Sequence, residues 1–198
     1  GMNMAMALVL TGAGMAWVLD FWDTQLLAQN LVAGVDSFPL LAVPFFILAG
    51  ELMNTGGISR RIITMAQAWV GHIPGGLGYV AIAAAIMLSA MSGSALADAA
   101  ALATIVLPMM RKNGYPLATS AGLIAAGGVI GPIIPPSMAF VIYGVTTNTS
   151  VSALFVSGIV PVLIMGLGLV IAWKLQIRGL DLPADEPMPM KERFKATL

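Results

Sequence analysis

The chain has 198 residues, 59% of them hydrophobic and 9% charged, with no net charge, no cysteine and one histidine. Its mean hydropathy is +0.93, and a soluble domain carries about 25% charged residues, so this is the composition of an integral membrane protein. Neutral charge sets nucleic acid aside, and the lack of cysteine removes disulfides, thiolate metal sites and thiol nucleophiles.

The N-terminus has no basic region or cleavage site and does not read as a signal peptide. Met4–Leu19 reads as a short apolar helix that begins almost at once, as though the true start lay upstream. Asp20, Asp23 and Asp36 mark a polar connection, with Trp17 and Trp22 at interface depth. Phe38–Met53 is a second span, stopped by Asn54-Thr55-Gly56-Gly57. Glu51, near its end, is placed to snorkel or to pair with Arg60 or Arg61. Ser59 is a candidate cap for the next helix. In that helix Ile62, Ile63, Ala66, Trp69 and Val70 share one face, opposite Arg60, Arg61, Thr64 and Gln67, as in a helix lying in the membrane interface. Two interrupted apolar segments follow, Gly76–Leu107 and Pro116–Thr147, and then a clean span, Ala153–Trp173. Leu180–Met190 is a proline-rich acidic linker, and Lys191–Leu198 begins an element the chain does not finish.

The interruptions carry the chemistry. In lipid, unpaired backbone groups are tolerated only where protein or a water-filled site satisfies them. Paired broken segments therefore point to an ion and substrate site near the bilayer midplane. The first is expected to run as Leu77–Ala90, turn at Met91–Ser94 and return as Ala95–Met110, with Ser94 capping the return. Asp98 lies one turn into the returning helix, where its carboxylate either coordinates a cation or supports the helix start. The second comprises half-helices Leu117–Ile130 and Met138–Val145 around Gly131-Pro132-Ile133-Ile134-Pro135-Pro136-Ser137. Its prolines cannot donate, so preceding carbonyls are released as hard oxygen ligands beside the Ser137 hydroxyl, with Pro136 at the first position of the second half-helix. Gly122, Ala126 and Ile130 share a face, and Gly127, Gly128 and Gly131 open the helix near its break. The methionines read as gap fillers. With His72 as the only histidine, no nucleophile elbow and no phosphate-binding loop, neither an enzyme nor a cofactor or transition metal is expected.

Charge sets the expected topology. Arg60/Arg61, Arg111/Lys112, and Lys174/Arg178 with Lys191, Arg193 and Lys195 all belong inside by the positive-inside rule. About thirty helical residues measure roughly 45 Å, too long for one straight crossing of a bilayer core and too short for two. Only a re-entrant first segment followed by a crossing second segment puts every basic group on one side.

Three runs carry a family resemblance: Ser37–Met53 (SFPLLAVPFFILAGELM), Ser92–Asp98 (SGSALAD) and Gly131–Ser137 (GPIIPPS). Together, in that order, they resemble the large membrane subunit of tripartite ATP-independent periplasmic transporters, the DctM-like family. The resemblance covers nearly the whole chain and implies an all-α integral membrane fold. It implies the first inverted repeat of an elevator-type ion transporter, with a re-entrant hairpin and a broken transmembrane helix. Residues 1–75 would then be scaffold-type helices plus the interfacial helix, and 76–150 a transport-type unit with hairpin 76–110 and broken helix 116–147. Residues 151–175 would be a further span, and 176–198 a cytoplasmic linker toward a missing second repeat.

The implied activity is Na⁺-coupled import of carboxylate-bearing solutes across the bacterial inner membrane. The solutes are sugar acids or C4-dicarboxylates, and the resemblance is especially close to members handling sugar acids such as diketogulonate. The implied partners are a small membrane subunit and a periplasmic solute-binding protein. Carried over residue by residue, Ser92, Gly93, Ser94, Gly131, Pro132, Pro135 and Ser137 would bind Na⁺, with Asp98 and Pro136 at the solute wall or in support. The alternatives are a non-transporting membrane scaffold, which would tolerate bulky residues at Ser92, Ser94 and Ser137, and a proton-coupled transporter using Asp98.

Overall fold

Polar caps start many of the helices in this chain. The computed structural model describes residues 2–36, 38–180, 182–184, 189–190 and 193; Ser37 and nearly all of the 191–198 tail lie outside the described residues. The regular structure among them is all helical, as an apolar chain that must satisfy its own backbone requires. The chain divides into two units, Gly1–Leu40 and Leu41–Leu198, each described by itself.

In the first unit, helix α1 (Met4–Val18) is capped by Asn3, whose side chain accepts from the Ala5 amide at 3.1 Å. Helix α2 (Thr24–Val35) is capped by Asp23, which accepts from the amides of Gln25 at 2.7 Å and Leu26 at 3.2 Å. The polar connection expected from Asp20 to Asp36 is therefore mostly helix. Its aspartates stand at the borders, and one of them starts the element. Trp17 and Trp22 meet edge to face with centroids 5.4 Å apart. No residue of α1 is buried, so its apolar surface calls for lipid or another chain.

The expected span Phe38–Met53 opens as a 3-10 turn (Phe38–Leu41) and continues as α3 (Ala42–Thr55). Helix α4 (Ile58–Val70) starts from Gly57 in the left-handed region; Ser59 is buried inside the first turn and does not cap it. Ile62, Ile63 and Ala66 are buried while Arg60, Arg61 and Thr64 are exposed, but Trp69 departs from the expected face and is 39% exposed. The apolar stripe of α4 rests on the next helix, α5 (Gly76–Ser92), so its amphipathicity serves a protein contact rather than lipid. Glu51 is exposed, and no ion pair joins it to Arg60 or Arg61 among the described residues.

Helix α5 is the centre of this unit. It touches α3, α4 and the later helices α6 (Ala95–Lys112), α7 (Leu117–Ile130) and α9 (Val151–Gln176). Trp173, near the end of α9, shows that α5 and α6 double back on each other. Its indole Nε1–H donates to the Gly75 carbonyl at 3.0 Å, and its ring stacks on Tyr115 at 6.1 Å and 5°. Gly75 precedes α5 and Tyr115 follows α6, so both ends of the pair meet one buried ring.

The second interrupted segment takes another path. After α7 a 3-10 turn (Gly131–Ile133) and a short extended stretch lead into α8 (Met138–Thr147), and the two halves are bent by 42°. Taken together they are long and apolar enough to cross a membrane; among the described residues only α9, with 26 residues, is so by itself. Small residues close the interface. A Cβ on Gly128 would lie 2.8 Å from the Ala99 Cβ, whereas nothing lies within 4 Å of one on Gly122. The tight face of α7 thus runs through Gly127, Gly128 and Gly131, while Gly122 and Ala126 line a groove shared with α9.

Candidate functional site

The hairpin turn is shorter than expected, because α5 continues through Met91 and Ser92 and only Gly93 and Ser94 lie outside helix. Gly93 has φ +62° and ends α5, its amide donating to the Ser89 carbonyl at 2.9 Å. Ser94 caps α6 as anticipated, its hydroxyl accepting from the Ala97 amide at 3.4 Å.

Behind the turn sits a buried polar cluster. Asp98 is 3% exposed and accepts from the Ser92 hydroxyl at 2.6 Å and from the Ser89 hydroxyl at 3.0 Å, one on each carboxylate oxygen. The Ser92 oxygen in turn accepts from the Ser94 amide at 3.1 Å. Through these bonds Asp98 ties the end of α5 to the start of α6.

At the second break α8 begins at Met138 with Ser137 as its cap, not at Pro136, which precedes the cap and is exposed. The Ser137 hydroxyl donates to the Pro132 carbonyl and accepts from the Phe140 amide at 3.3 Å. One of the carbonyls released by the prolines is therefore already engaged, and Ser137 is fully buried. The Pro135-Pro136 bond is cis.

The two breaks meet. A Cβ on Gly93 would lie 3.3 Å from both the Pro136 carbonyl oxygen and the Met138 amide nitrogen, and 3.5 Å from the Ser137 Cα. A Cβ on Gly131 would lie 2.8 Å from the Ser89 hydroxyl and 3.6 Å from the Ala95 Cα. Gly93 is thus brought against Pro136 and Ser137, and Gly131 against Ser89 and Ala95. Ser92, Ser94 and Asp98 are bonded within the hairpin, Pro132 is held through Ser137, and Pro135 is half-buried in the loop. Helix α3 closes one side, since a Cβ on Gly50 would lie 3.6 Å from that of Ser92. The ends of α5 and α7, of partial negative charge, converge with the starts of α6 and α8, of partial positive charge. Hydroxyl and carbonyl oxygens suit a hard monovalent cation, and helix-start amides suit a carboxylate.

Matches to known proteins follow the same lines. The family model described as "Tripartite ATP-independent periplasmic transporter, DctM component" matches residues 1–198. The chain belongs to this family. Among DctM relatives, the 2,3-diketo-L-gulonate TRAP transporter large permease protein YiaN of Escherichia coli is 51% identical over 192 residues, 97% of this chain and 45% of the relative. The sialic acid TRAP transporter large permease protein SiaM of Vibrio cholerae is 43% identical over 171 residues, 86% of this chain and 40% of the relative. The C4-dicarboxylate TRAP transporter large permease protein DctM of Pseudomonas aeruginosa is 40% identical over 186 residues, 94% of this chain and 44% of the relative. The chain spans a little under half the length of the relatives it matches. The family is one of transporter components, not of enzymes.

Ser89 escaped the sequence reading because it sits inside an apolar run. The available signal was its spacing from Ser92, i to i+3, which puts both hydroxyls on one helix face. Trp173 was read only as the end of a span; no local pattern pairs it with Gly75, 98 residues away.

Proposed function

We propose that this chain is the first half of the large permease of a Na⁺-coupled secondary transporter in the bacterial inner membrane. It imports carboxylate-bearing solutes, sugar acids in the first instance, together with a small membrane subunit and a periplasmic binding protein. Helices α5 and α6 form a hairpin that re-enters from the cytoplasm, and α7–α8 is a broken crossing helix. Where their tips touch they supply one Na⁺ site and one wall of the solute site, and this unit moves as the elevator of the first inverted repeat. The observation that carries the reading is the contact of the Gly93 turn with the Pro136–Met138 break. The names of the relatives support the solute class, with YiaN favouring a sugar acid. The basic residues at the Trp173 end, Arg111, Lys112, Lys174 and Arg178, support its placement on the cytoplasmic side.

The test is solute uptake into proteoliposomes holding the whole permease and its small subunit, with binding protein supplied outside. An inward Na⁺ gradient drives accumulation, choline in its place abolishes it, and Ser92→Ala weakens the Na⁺ dependence. Uptake that follows a pH gradient and ignores Na⁺ transfers the coupling to protons. The complete complex failing to take up any solute under either gradient leaves the scaffold reading.

A further inference from the structure

The buried carboxylate does its work through a neighbour. The hydroxyls of Ser89 and Ser92 both donate to Asp98, one to each carboxylate oxygen, which is the pattern of a carboxylate that only accepts. A serine oxygen has one hydrogen and two lone pairs. Once Ser92 has given its hydrogen to Asp98 and one lone pair to the Ser94 amide, what remains is a bare lone pair, fixed in direction by bonds on two sides. That oxygen can no longer turn a hydrogen toward an arriving cation. Asp98 meanwhile spends both oxygens on serines at 3% exposure. Ser89, which no sequence motif singles out, holds the second oxygen, and a Cβ on Gly131 would lie only 2.8 Å from its hydroxyl.

We infer that Asp98 and Ser89 are positioning residues that hold Ser92 as an acceptor-only ligand for the coupling cation, and that Asp98 does not itself touch the cation. This rests on the Na⁺ reading above and adds to it which groups set the affinity. In Asp98→Asn the amide NH₂ donates where only acceptance occurred, so a serine hydrogen must swing away and the Ser92 oxygen loses its fixed polarity.

The experiment is heat unfolding of the purified whole permease across a Na⁺ titration at constant ionic strength with choline, which reads an apparent Na⁺ constant without knowledge of the solute. Ser92→Ala and Asp98→Asn each weaken that constant about tenfold, the scale of one charge-assisted hydrogen bond. The Ser92→Ala/Asp98→Asn double variant is no weaker than Ser92→Ala alone, because both act on one oxygen. Ser89→Ala weakens the constant less, and its effect also vanishes when Ser92 is Ala; this pair keeps the test open should Asp98→Asn fail to fold. Losses that multiply in the Ser92→Ala/Asp98→Asn variant make Asp98 a ligand or a long-range charge, and losses that multiply in the Ser89→Ala/Ser92→Ala variant make Ser89 act apart from Ser92; either result overturns the inference alone. Absence of any Na⁺ stabilisation in the unsubstituted permease overturns the coupling reading and this inference with it.

Discussion

At the scale of single residues, the site is shaped by what is missing as much as by what is present. Gly131 and Gly122 are both glycines of the α7 segment, yet their surroundings oppose each other. A methyl on Gly131 would push the Ser89 hydroxyl off Asp98, with the Ser89 Cβ also only 3.3 Å away. One on Gly122 meets nothing within 4 Å. Gly131→Ala is therefore expected to destabilise the permease by about 1–3 kcal/mol through overpacking. Gly122→Ala should stabilise it by about 0.5–1 kcal/mol through helix propensity. Heat-denaturation midpoints of the two variants, measured side by side, should move in opposite directions. Equal shifts would mean that Gly131 is not pressed against the hairpin.

At the scale of elements, two segments that look alike in composition take different paths. Helices α5 and α6 return to one end, whereas α7 and α8 carry on through a 42° bend. Asn113, after the hairpin, and Asn148, after α8, should then lie on opposite sides of the bilayer. This chain has no cysteine, so Asn113→Cys and Asn148→Cys, in a permease freed of any others, can be labelled with impermeant maleimide. Asn148→Cys should react from the periplasm in intact cells and Asn113→Cys only after the membrane is opened; labelling of both from one side would rule out the proposed arrangement. Much of this was legible beforehand. Proline, glycine and capping serine mark both breaks in the sequence, and both breaks interrupt helix in the structure. The departures have separate causes. Asp20 to Asp36 was read by its charged borders rather than by the apolar run between them, and Ser59 by residue type rather than by the left-handed Gly57 ahead of it. The apolar stripe of α4 was legible, but not what would cover it.

At the scale of the molecule, distant pairings are what the sequence could not disclose. Capping and breaking are local and leave local marks; Trp173 with Gly75 and Tyr115 leaves none. That ring is fully buried and joins the last turn of α9 to both ends of the hairpin. Trp173→Ala should cost about 3–5 kcal/mol of stability, the range for emptying a large buried side chain. In a chemical-denaturation comparison of the whole permease, a loss well under 1 kcal/mol would show that neighbours collapse into the space. The other tryptophans, Trp17, Trp22 and Trp69, are 68%, 48% and 39% exposed. Replacing those three with phenylalanine, in a permease freed of any others outside this chain, would leave one dry indole as a built-in optical gauge. Its emission and its shielding from aqueous quenchers would report, in real time and without a dye, whether the foot of the hairpin ever parts from α9.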